Sequence, residues 1–205
     1  MSKTIGKILL ELSEKAGRNN QEYYQVIYIE GIDEDWKANK DAPDFFNDLG
    51  VVIRLRDAQI VHSGRVTTEP GGYYTEYPLN PAGCARLAFG YYHECWTFGD
   101  HKGQDALVQR ATVKVRRDSN KDGLRTGDKL TDAGAECGIN QHTTSRDPNE
   151  SYNPPRVGKW SAGCIVWQNP RAFRKYINLL RETPDTTFSA TLLDGNEVAK
   201  AIADR

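Results

Sequence analysis

Apolar residues recur at Ile5, Ile8, Leu9, Leu12 and Ala16, the spacing of one helix face, and Gly17 follows as a stop. The period then changes. "EYYQVIYIEGI" is β-branched and aromatic and predicts a strand, whereas "DEDWKANKDAPDFFND" is polar, holds Pro43 and predicts a loop. "LGVVIRLRDAQIVHSGRVTT" predicts two strands around a turn at Asp57 and Ala58. The prolines and glycines of "EPGGYYTEYPLNPAG" predict a long connection. "CARLAFGYY" and "DALVQRATVKVRR" predict further strands, the second with alternation at Val113 and Val115. Residues 118–156 are polar and rich in turn formers. In "NPRAFRKYINLLRET", Asn169 suits a helix cap, Pro170 suits the first turn, and Phe173, Tyr176, Ile177 and Leu180 share a face. "TTFSATLLDG" predicts a closing strand. Strands dominate and there is no βαβ alternation, so the fold class is mostly β (α+β), with peripheral helices and no doubly wound sheet.

A chain of 205 residues can bury a core without staples. Its formal net charge of −1 supplies no general attraction to nucleic acid or to an anionic membrane. No apolar run approaches the ~20 residues that cross a bilayer, which argues against membrane insertion. Glu11 and Glu14 interrupt any signal-peptide core at the N-terminus. The expectation is a protein made in the cytoplasm, acting in a cell wall or periplasm only after export or release.

The cysteines are Cys84, Cys95, Cys137 and Cys164, and none belongs to a C-x-x-C pair. They read as free thiols. His93, Cys95 and His101 lie close in sequence, but their spacing matches no structural zinc pattern. Cys164 is different. In "VGKWSAGCIVWQNP" it follows small residues that leave the backbone open, so nearby amides could face a substrate carbonyl. Ser161 can hydrogen-bond within the turn and set its shape. A nucleophilic thiol also needs a base. Of His62, His93, His101 and His142, the last stands in "CGINQHTT", where a short strand opens into a polar loop. The competing reading is that "CIVW" is simply a core strand with a buried cysteine.

"GINQH", ahead of "SAGC" in the chain, resembles with it the signature of YkuD-type L,D-transpeptidases. That signature is a histidine at a strand end, a variable loop, then S-x-G-C and an apolar residue. The upstream stretch from Val51 to Gly90 is similar to the family's opening pattern of strands and turns. The resemblance covers roughly residues 50–168, which suggests a helix-strand extension over 1–49 packed on a catalytic domain over 50–205. It implies a β-sandwich or barrel in which Cys164 is the nucleophile and His142 its base. It also makes Ser161 the residue that shapes the loop, and Gly163 the one that leaves room at the oxyanion site. The implied substrates are peptidoglycan stem peptides, cleaved between an L-centre diamino acid and D-alanine, and no cofactor is required. Cross-linking and trimming are both open. Three positions depart from the family: Thr143 replaces a glycine, Ala162 a histidine and Val166 an arginine. The arginine bears on substrate placement, so the chain resembles a divergent branch.

"DSNKDGLRTGD", from Asp118 to Asp128, opens like a calcium loop, with Asp118, Asn120 and Asp122 at alternate positions and Gly123 at the sharp turn. The twelfth position is Lys129, not a bidentate acid, and Asp128 falls one residue early. The alternative is a loop in which Asp and Asn bond their own backbone. Trp160, His101, Arg86, Tyr73 and Tyr74 are candidates for binding a carboxylate or sugar-peptide, or else ordinary packing residues. Two functions are therefore expected to compete: a Cys-His acyltransferase or peptidase, and a catalytically silent wall-binding or calcium-stabilised module on the same scaffold.

Overall fold

The computed structural model describes residues 2–19, 22–147 and 149–205. Among them, eight strands close into a barrel, a separate sheet has three strands, and four α-helices lie at the periphery. The first helix, α1 (Ser2–Lys15), precedes β1 (Tyr24–Glu30), β2 (Asp48–Arg54) and β3 (Gln59–Thr67). A short α2 (Gly72–Glu76) sits within the predicted connection. Then come β4 (Cys84–Leu87), β5 (Gly90–Asp100), β6 (Asp105–Gln109), β7 (Val113–Asp118) and β8 (Lys129–Ala133). The chain closes with β9 (Gln141–Thr143), β10 (Ile165–Trp167), α3 (Pro170–Arg181), β11 (Thr187–Asp194) and α4 (Gly195–Ala203). The barrel order is β1-β11-β5-β6-β9-β10-β3-β2, and β4, β7 and β8 form the small sheet.

Every residue of β1 is buried, because both faces of the strand are covered. Val26 and Tyr28 join a core that includes Trp96, Trp167 and the apolar face of α3. Ile27 and Ile29 join a second core with Ile5 and Leu9 of α1 and Val198 of α4. That is why this segment reads as a continuous apolar run with no alternation. Leu49 falls inside β2, and β1 is a barrel strand held between β2 and β11, so the N-terminal segment expected as an extension builds part of the barrel itself.

Trp167 sets a second constraint. Gly50 and Gly64 face each other across β2 and β3, and a Cβ at either would lie 2.9 Å from the indole. The ring stacks on Tyr176 of α3 with centroids 4.9 Å apart. Asn169 caps α3, accepting the Ala172 N–H at 2.9 Å.

Two predicted strands are each divided in two. "CARLAFGYY" breaks at Ala88 and Phe89, with β4 entering the small sheet and β5 the barrel. "DALVQRATVKVRR" divides likewise into β6 and β7. At both breaks the chain passes between the barrel sheet and the small sheet. No helix among the described residues is long and apolar enough to cross a membrane.

Candidate active site

The site forms where β9 and β10 run parallel, with His142 opposite Val166. Strand alternation separates its side chains. Gln141 turns towards the first core, where its Oε1 accepts hydrogen bonds from Tyr28 (2.6 Å) and Tyr176 (2.7 Å). His142 therefore faces the other way, towards the turn that carries Cys164. One ring nitrogen of His142, one of His101 and the Cys164 sulfur all lie within 4.8 Å of one another.

His142 is 2% exposed. Its Nδ1 lies 3.0 Å from the Thr143 carbonyl. A carbonyl only accepts, so Nδ1 carries the proton and Nε2 the lone pair. Nε2 is buried without a partner. Burial, reinforced by His101, pushes the imidazole down to about 3. The Cys164 thiol donates to the Gly138 carbonyl at 3.3 Å, and burial pushes it up to about 11. The resting pair is thus neutral imidazole and neutral thiol, not an ion pair. Rapid alkylation of a low-pKa thiol near neutrality, which a preformed thiolate would show, is not what this environment supplies.

The turn that carries the cysteine is tightly held. Ser161 is fully buried; its hydroxyl donates to the Cys164 carbonyl (2.7 Å) and accepts the Gly163 N–H (3.1 Å). Gly163 has φ 138°, and a Cβ there would stand 2.6 Å from the Ala85 carbonyl of β4. The small sheet therefore packs directly under the turn that carries Cys164. Val166 is buried with Phe46, Val157 and Cys164, so an arginine there would place its guanidinium among apolar groups. Thr143 donates from its hydroxyl to the Trp167 carbonyl at 2.9 Å, a tie a glycine lacks.

A cavity of about 500 Å³ opens over Cys164, lined among others by Tyr74, Arg117, Glu136, Lys159 and Trp160. A second cavity of about 460 Å³ is lined by His142, Thr144 and Arg146. His101, Lys102, Lys159 and Trp160 line both. Trp160 is 42% exposed.

His101 sits where β5 turns into β6. Lys102 (φ 56°) and Gly103 (φ 84°) form a tight two-residue hairpin turn, closed by the His101 N–H to the Gln104 carbonyl at 2.9 Å. Its Nδ1 takes the Asn140 side-chain amide at 3.0 Å. The lysine-glycine pair in "DHKGQD" is the available signal for this hairpin, but nothing local to it points to His142. Gly138 and Asn140 also escape a reading of the sequence, since one contributes a backbone carbonyl and the other a supporting amide.

Arg86 is placed elsewhere. It is 1% exposed and donates to Glu69 Oε1 at 2.9 Å, with Asp118 Oδ2 3.5 Å away, so it is a buried ion-pair residue and does not line either cavity. Tyr74 lines the Cys164 cavity, and Tyr73 carries Lys159 over its ring at 4.1 Å. His93 contacts the Tyr91 hydroxyl, away from His101.

Two groups of donors among the described residues are close enough to hold a metal ion: His101, His142 and Cys164, and the acidic set Glu30, Asp41 and Glu69. The second is crowded by cations. Arg86 pairs with Glu69, and Arg125 pairs with Glu30. Burial, and after it Glu30, raises the Glu69 carboxyl despite Arg86.

In the loop from Asp118 to Asp128, side chains do bond their own backbone. Asp122 Oδ1 accepts the Leu124 N–H (2.7 Å), and Asn120 Oδ1 accepts the Asp122 N–H (3.3 Å).

In comparisons with protein-family models, with curated proteins and with solved structures, nothing matches this chain.

Proposed function

We propose that this protein is a cysteine acyltransferase or peptidase acting on peptidoglycan stem peptides, in the manner of the L,D-transpeptidases that its "GINQH" and "SAGC" stretches resemble. The observation that carries the reading is the meeting of His142 and Cys164 at the junction of two cavities, with the Nδ1 proton held by a backbone carbonyl.

The steps follow from those groups. The substrate carbonyl enters over Cys164. His142 Nε2 takes the thiol proton as sulfur bonds to the carbonyl carbon. A separation of up to 4.8 Å calls for a small closing movement or one bridging water. The Gly163 N–H is already committed to Ser161, so the Ala162 and Cys164 amides are the donors this turn offers the oxyanion. The C–N bond breaks and His142 returns its proton to the leaving amine, leaving a thioester. An amine from a second stem peptide, or water, resolves it. One cavity over Cys164 and a second at His142, sharing His101, Lys102, Lys159 and Trp160, suit a donor and an acceptor peptide. Their lysines and acids suit zwitterionic diamino substrates. The reaction needs no cofactor.

Incubating the protein with tetrapeptide stems and following products by mass spectrometry tests this. A thioester adduct on Cys164, with release of D-alanine or formation of a cross-link, is expected. No adduct and no product would leave a silent wall-binding module.

A second reading rests on the same triangle of donors: His101, His142 and Cys164 as a metal centre, two imidazoles and a thiolate being a soft set suited to zinc. Retention of one equivalent of zinc through chelation and gel filtration would favour it, and activity that survives chelation would exclude it.

A further inference from the structure

Arg117 of β7 is half-buried and lines the cavity over Cys164. Its backbone pairs with that of Ala85 in β4, the residue whose carbonyl backs Gly163. The guanidinium is thus carried by the sheet that packs under the turn of Cys164. Its partners are poor ones for a full charge. Nη1 donates to the Gly83 carbonyl at 3.3 Å, and Nη2 donates to the Cys137 sulfur at 3.6 Å. No acid among the described residues forms an ion pair with it. A guanidinium carries more N–H donors than these contacts use. Holding such a charge partly out of water without an anion is unfavourable.

The surrounding charge has the same sign. Lys102 and Lys159 also line this cavity, and neither forms an ion pair among the described residues. Lys159 lies over the Tyr73 ring instead, at 4.1 Å. Of the acids in the lining, Asp132 is bound to Lys114 at 3.0 Å, and Glu136 is exposed at the rim. Unpaired positive charge therefore outweighs negative beside Cys164, although the chain as a whole has a formal net charge of −1.

We infer that Arg117 is a specificity-determining residue that binds a free carboxylate of the stem peptide, with Lys102 and Lys159 supplying the surrounding field. The inference rests on the peptidoglycan reading above. An arginine fork matches both oxygens of a carboxylate, whereas a carboxamide offers one acceptor and an NH2 group that the guanidinium cannot accept. Two carboxylates flank the bond to be cleaved: the terminal one of D-alanine, and the side-chain one of a dicarboxylic diamino acid. The fork suits either.

Calorimetric titration of peptides into Cys164→Ala protein reads this without acyl transfer. The peptides are the tetrapeptide stem, the same stem with its C-terminus amidated, and a stem with lysine in place of the dicarboxylic diamino acid. One of the altered peptides is expected to bind at least about tenfold more weakly, which identifies the carboxylate. Adding Arg117→Gln should abolish that preference, so that both peptides bind alike. Arg117→Lys, which retains the charge without the fork, should keep only part of it. Should Arg117→Gln fail to fold, Arg117→Lys decides. Equal binding of all three peptides, no binding of any, or full preference in either Arg117 variant would overturn the assignment. In the wild type, a Cys164 thioester formed equally from all three peptides would keep acyl transfer and remove Arg117 from recognition. Carboxylate-dependent binding with no thioester would do the reverse.

Discussion

The imidazole of His101 lies flat against that of His142, with ring centroids 4.2 Å apart and planes 13° from parallel. Burial lowers both imidazoles from their ordinary value, reinforced by Lys102 at His101 and by His101 at His142. This has a thermodynamic signature. The unfolded chain binds a proton at residue 142 below pH 6.5, whereas the folded chain does not until about pH 3. Stability is therefore lost as pH falls from 6.5 towards 3, by at most ~1.4 kcal/mol per pH unit from this group. Urea unfolding at pH 6.5, 5.5 and 4.5 should show a shallower acid loss in His142→Asn than in the wild type. The buried Asp48 and Glu69 carboxyls are raised and act in the opposite direction, but equally in both proteins. Equal slopes would mean that His142 is not held neutral.

The thiol makes a matching prediction in base. With Cys164 pushed up to about 11, its alkylation by iodoacetamide should be slow at pH 7 and rise about tenfold per pH unit to pH 10. Peptide mapping separates it from the half-buried Cys137. Saturated alkylation below pH 8 would show that a thiolate is already formed.

Cys164→Ala should abolish acyl transfer, by on the order of 10³-fold or more, with Tm preserved. Cys84 donates its thiol to the Tyr74 carbonyl, and Cys95 is buried in the first core. Alanine at Cys84, Cys95 or Cys137 should leave turnover nearly intact in whatever fraction folds. Turnover by Cys164→Ala would remove it as nucleophile.

Gly163→Ala should destabilise the fold. Its φ of 138° already strains any L side chain, by ~1–3 kcal/mol. The new Cβ would also meet the Ala85 carbonyl at 2.6 Å, and that backbone belongs to a paired strand that cannot easily move. Denaturant titration reads the loss. A change no larger than that of an ordinary surface substitution, about 0.5 kcal/mol, would show that the turn relaxes freely.

Trp160 offers the reverse case. It is 42% exposed and lines both cavities, so Trp160→Ala should change stability by less than about 0.5 kcal/mol while raising KM several-fold. An unaltered KM would make it a bystander.

Local pattern is enough where an element has one buried face or a strong cap. The stripe from Ile5 to Ala16 predicts α1, and Asn169 with Phe173, Tyr176, Ile177 and Leu180 predicts α3. It is not enough where tertiary context divides a continuous run. β4 and β5 read as one strand because each residue is strand-like; their separation depends on which sheet each half joins. α4 is not legible because Gly195 and Asn196 follow β11 directly and only Asp194, accepting the Asn196 N–H, starts the helix.

The site divides the same way. By itself the chain determined an open-backbone turn at Ser161–Cys164 and a histidine at a strand end, because glycine, small residues and strand alternation act over a few positions. Whether those two stretches meet depends on parallel pairing of β9 with β10, which the sequence states nowhere. Only the tertiary structure stacked His101 on His142, since the tip of a hairpin remote in the chain supplies it. Only the tertiary structure buried Arg86 between Glu69 and Asp118, because a lone arginine in a strand looks the same facing solvent or facing two acids.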